Sequence, residues 1–79
     1  MGVVLEWLAV EALAELPDDQ ARAEVQRLIH DVAADPSSWP APGGEEVVDL
    51  FGARCWVTVA AYVDQVEVRD IGWWATVPA

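Results

Sequence analysis

An α+β fold is what this 79-residue sequence predicts: β-α-α-β-β-β, with a helical hairpin packed on one face of a mainly antiparallel four-stranded sheet. Three observations carry that reading. Ala53–Tyr62 alternates residue by residue, as a strand with two different faces must. Asp19–Ala34 places its apolar residues at helical spacing. Between them, residues 35–44 hold three prolines and two glycines and divide a helical half from a half made of strands. The whole of residues 1–79 is read as one domain.

The first element is short. Val3–Trp7 reads as a strand, with Val3, Leu5 and Trp7 on one face and Val4 and Glu6 on the other. The period then changes. Leu8, Ala12, Leu13 and Leu16 recur at helical spacing, with Glu11 and Glu15 on the opposite side. Pro17 ends that helix, and Asp18 or Asp19 is placed to cap the next one. In the second helix, Ala21, Val25, Leu28, Ile29, Val32 and Ala33 form the buried stripe, while Arg27 lies between Glu24 and Asp31 on the solvated side.

The loop 35–44 follows, with Trp39 expected to pin it to the domain. Glu45–Phe51 reads as a strand, and Gly52 turns the chain into the next one. In Ala53–Tyr62, Cys55, Val57, Val59 and Ala61 point inward, and Arg54, Trp56, Thr58, Ala60 and Tyr62 point outward. Val63-Asp64 makes a tight turn, after which Val66 and Val68 resume the buried row in Gln65–Ile71. Sequential strands joined by short turns pair antiparallel, and the N-terminal strand must join their sheet to satisfy its backbone groups. Residues 75–79 are expected to be a flexible tail.

Composition limits the function. Fourteen acids face four arginines and no lysine, a net charge of −10. Binding to a phosphate backbone depends on neutralisation by Lys and Arg, so nucleic acid is disfavoured as a direct ligand and a basic protein partner is favoured. A chain this small buries a limited core, which also favours a standing partner or a homodimer. The single cysteine, Cys55, forms no internal disulfide and is read as a small buried hydrophobe. The sequence shows no signal peptide and no apolar run long enough to span a bilayer, so the expected compartment is cytoplasmic.

No catalytic set emerges. His30 is expected at the helix surface, and the neighbouring Asp31 cannot orient it, because adjacent helix positions diverge. Cys55 and His30 lack companions at metal-ligand spacing, and the pairs Asp18-Asp19 and Glu45-Glu46 read as a cap and a solvated loop. No metal and no cofactor are expected. The candidate site is instead a binding surface on the sheet face away from the helices: Arg54, Trp56, Thr58, Tyr62, Glu67 and Arg69, joined by whichever of Trp73 and Trp74 faces outward.

Several segments resemble a known family. The start V-V-L-E-W-L-A-V-E-A-L-A-E-L-P, the second helix ending near D-P, the strand G-A-R-C-W-V-T-V and the closing V-E-V-R-D-I-G-W look like the RelE/ParE toxin superfamily of toxin–antitoxin modules. The resemblance spans nearly the whole chain and implies the same layered fold. It also implies a protein partner, since toxins of that family are held inactive by an antitoxin segment. RelE-type members cleave messenger RNA on the ribosome with basic residues on the last strands and a C-terminal His or Tyr. ParE-type members lack that set and are linked to inhibition of DNA gyrase.

This chain departs from the RelE-type pattern where chemistry is concerned. Ala60, Ala61 and Tyr62 stand where the family commonly carries an arginine, and Ile71-Gly72-Trp73-Trp74 replaces Ile-Gly-His-Arg. Arg54 and Arg69 are the basic residues that match. The expected function is therefore that of a degenerate or ParE-like toxin-fold protein acting by protein contact, without ribonuclease activity. The alternatives are a stand-alone acidic interaction module for a basic partner and, third, a ribosome-dependent endonuclease.

Overall fold

The alternating C-terminal half builds a sheet, and the two helical stripes cover it. The computed structural model describes residues 2–74. The elements are β1 (Gly2–Leu5), α1 (Trp7–Ala14), α2 (Asp19–Ala34), β2 (Val48–Phe51), β3 (Cys55–Ala61) and β4 (Gln65–Trp73), with one 3-10 turn at Pro36–Ser38. The sheet order is β1-β4-β3-β2. β1 runs parallel to β4, and the other pairs are antiparallel. The tail expected at 75–79 lies outside the described residues.

Both helices lie on one face. Ala9 of α1 and Val25, Ile29 and Val32 of α2 pack against Cys55, Val57, Val59, Val66, Val68 and Ile71 of the central strands, forming a single apolar core. α2 matches the range read from its periodicity, because its ends are specified locally. The Asp18 side chain accepts the Ala21 N–H at 2.8 Å, and Pro36 closes the other end. In the connection from α1, Arg22 donates to the Leu16 carbonyl at 3.0 Å.

Several boundaries differ from expectation, and β3 is shorter than the alternating run, Cys55–Ala61 in place of Ala53–Tyr62. β1 ends at Leu5; Glu6 donates to the Val68 carbonyl at 3.0 Å and becomes the cap of α1. Trp7 therefore opens the helix and is exposed, instead of sharing a strand face with Val3 and Leu5. This earlier start rotates the inward stripe of α1 to Ala9, Ala12 and Leu13, with Leu16 packing on the core beyond its end, and Leu8 points outward. β2 begins at Val48 because Gly43 and Gly44 both donate to the Ala61 carbonyl and hold the preceding chain away from the ladder. Both glycines have positive φ, at 121° and 77°. β4 runs on to Trp73, two residues past the expected end.

Trp39 anchors the loop between α2 and β2. Its indole N–H donates to the Val32 carbonyl at 2.7 Å, and its ring packs on the core. Among the described residues, no helix is long and apolar enough to cross a membrane.

Candidate binding surface

The face opposite the helices is organised in rungs by the strand register. Phe51, Trp56 and Gly72 are paired across β2, β3 and β4. Asp49, Thr58 and Asp70 form the next rung. Beyond them the register shifts between Thr58 and Val59, so that Arg69 is the extra residue of a bulge in β4. The bulge keeps Val66, Val68 and Ile71 all buried while turning Arg69 and Asp70 outward together.

The first rung is aromatic. The Trp56 indole crosses over Gly72; a β-carbon there would stand 1.8 Å from the ring. Trp74 extends the cluster, with its ring centroid 4.6 Å from that of Trp56 at 47° and 6.1 Å from that of Phe51 at 16°. Phe51 is 63% exposed. The second rung is acidic: the Thr58 hydroxyl donates to Asp49 at 2.6 Å, and Asp70 accepts the Ile71 N–H at 2.9 Å. Both carboxylates are exposed.

The third rung is closed. Arg69 donates to Glu67 at 2.8 Å, to the Gly44 carbonyl at 3.0 Å and to the Tyr62 hydroxyl at 3.3 Å. This bridge leaves Ala60, an outward residue, with no exposed surface. The Glu67 and then the Tyr62 hydrogen bonds raise the guanidinium pKa above its ordinary value. Gly44 is needed for the bridge, since a β-carbon there would meet the Tyr62 hydroxyl at 2.6 Å.

The expected surface residues are thus divided. Trp56, Thr58, Tyr62, Glu67, Arg69 and Trp74 lie on the open face. Arg54 and Trp73 do not. Arg54 precedes β3, so strand alternation does not bind it. It reaches to the helix side, 3.3 Å from Glu24, with its guanidinium 5.0 Å from the Trp73 ring centroid. Trp73 packs against the core, which leaves Trp74 as the outward member of the pair.

Asp49, Phe51, Asp70 and Gly72 were not among the sequence candidates. Asp49 and Phe51 alternate with Val48 and Leu50 and were legible as an outward pair; Gly72 within a strand marks a close approach. Cys55 is buried, and its thiol pKa is raised by that burial and by the nearby Glu24. His30 is exposed on α2. Among the described residues, no three His, Cys, Asp or Glu side chains converge as metal ligands.

The architecture is a small α+β domain with one sheet face sheathed by helices and the other bare of them among the described residues, and its fold is RelE-like. The crystal structure of the toxin–antitoxin complex RelBE2 from Mycobacterium tuberculosis contains a similar chain, with a TM-score of 0.72 and 16% identity over 94% of this chain and 91% of that one. At that identity the likeness is one of fold. No protein-family model and no curated protein matches the sequence.

Proposed function

We propose that this chain is a RelE-like toxin-fold protein that works in the cytoplasm by gripping a partner protein, either an antitoxin segment or a toxin target, on its bare sheet face and without cleaving RNA. The observation that carries this reading is the open aromatic rung of Phe51, Trp56 and Trp74 beside exposed carboxylates. Aromatic residues, tryptophan above all, are enriched among the anchors of protein interfaces, and here Phe51 is exposed while both tryptophans are half-buried. The similar chain belongs to a toxin–antitoxin complex, which supports a protein partner for this chain too.

The arginines argue against phosphoryl chemistry. Stabilising a phosphorane-like transition state needs positive groups aimed at developing charge. Arg22, Arg54 and Arg69 are instead paired with Asp19, Glu24 and Glu67. A homodimer is a further proposal, for which α1 supplies exposed apolar surface at Trp7, Leu8 and Val10.

The test is expression in a bacterial host, alone and with the protein encoded beside it. Growth arrest relieved by the neighbour, and lost in Trp56→Ala, is the expected result. Messenger RNA should stay intact when the purified chain is added to translating ribosomes. Ribosome-dependent cleavage would reverse the reading in favour of an endonuclease.

A further inference from the structure

We infer that the aromatic rung receives a basic side chain, arginine or lysine, presented by an extended segment of the partner protein, with Asp49 and Asp70 holding its charge. This rests on the proposed binding role of the face and specifies the chemistry of the occupant. Indole faces carry negative potential and attract cations. Trp56 and Trp74 meet at 47° and Phe51 continues the platform. One rung away, about 7 Å along the strands, an exposed carboxylate stands on each side of Thr58. Thr58 and the Ile71 N–H each engage a single oxygen of these carboxylates. The other oxygens can accept from a guanidinium or ammonium group.

Neither arginine expected on this face is free for the aromatic rung. Arg69 is held in the closed rung, and Arg54 lies on the helix side. There the chain displays the same chemistry internally: Arg54 stands over Trp73 and pairs with Glu24. The net charge of −10 steers a basic segment inward and repels nucleic acid.

The test is a titration of the nitrogen-15-labelled full chain, whose five tryptophans give indole N–H signals in NMR. The probes are a capped peptide of alternating valine and arginine, its glutamine and glutamate counterparts, and single-stranded oligouridylate. The arginine peptide should move the Trp56 and Trp74 signals and bind about tenfold tighter than the glutamine peptide. Added salt should weaken it. Asp49→Asn combined with Asp70→Asn should erase that preference while leaving the glutamine peptide unaffected. Phe51→Ala, which alters an exposed ring, should weaken the arginine peptide without unfolding the chain.

Equal binding of the arginine and glutamine peptides overturns the cation chemistry and leaves the protein-binding reading standing. Arginine binding that bypasses Trp56 and Trp74 overturns both. Oligouridylate shifting those two signals assigns the face to nucleic acid and overturns the partner class. Absence of any shift at millimolar peptide also overturns the inference.

Discussion

The indole of Trp56 occupies the space that a side chain on Gly72 would need: a β-carbon there would fall within 2.1 Å of three ring atoms. The pair is cross-strand, on the bare face, so the ring is held by its neighbours in the sheet and by Trp74. Gly72→Ala must therefore push a bulky ring off its seat. The expected cost is about 1–3 kcal/mol of stability, read by urea unfolding. Near-ultraviolet circular dichroism should also lose the signal of coupled indoles. An alanine variant with unchanged stability and spectrum would show that Trp56 does not rest there.

The Trp39 anchor separates packing from hydrogen bonding. Trp39→Phe keeps a large ring against the core but leaves the Val32 carbonyl without its 2.7 Å donor. About 1 kcal/mol of destabilisation is expected. Limited proteolysis should cut faster within residues 35–44, and a protease pattern identical to that of the parent would contradict the anchoring role.

Cys55 sets an alkaline limit on stability. Burial, and secondarily Glu24, raise its folded-state thiol pKa above the ordinary value. The sign follows from proton counting. Between the unfolded and the raised folded pKa, the folded chain keeps a proton that the unfolded chain has lost. Stability is therefore fully present below about pH 8.5 and declines as the solution is made more alkaline through the folded value. Cys55→Ala should flatten this decline in urea titrations. Glu24→Gln should lower the thiol pKa and speed its reaction with a disulfide reagent at pH 9, with a stability cost of at most about 1 kcal/mol from the half-exposed Arg54 pair.

The Val63-Asp64 turn joins β3 to β4 without a positive φ at either residue, and Val63 is 94% exposed. Two-residue turns matched to the strand twist need positive φ at the first position or at both, and the Asn-Gly pair favours the latter. Val63→Asn with Asp64→Gly should raise stability by about 0.5–1 kcal/mol, measured as a higher urea midpoint. A lower midpoint would mean that the present turn already suits the strand twist.

Much of this architecture is written in local pattern. Helix α2 could be read from the Asp18 cap, its apolar stripe and the following proline, because a helix burying one stripe needs only spacing and ends. The inward row of Cys55, Val57 and Val59 followed from alternation for the same reason. The sequence also determined the excess of acids and the absence of a histidine or cysteine cluster.

Other features depended on partners distant in the chain. Alternation assigns a face only inside a strand, so it misplaced Arg54, which lies one residue before β3 and turns to Glu24 on α2. Trp7 was misplaced because the strand-to-helix switch at Glu6 is set by its bond to Val68, not by local hydrophobicity. The choice between Trp73 and Trp74 depended on the bulge at Arg69, which shifts every later residue of β4 by one position. That bulge, and with it the juxtaposition of Phe51, Trp56, Trp74, Asp49 and Asp70, arises from how β4 registers against β3, and a single chain's order of residues does not encode a register until its strands are paired.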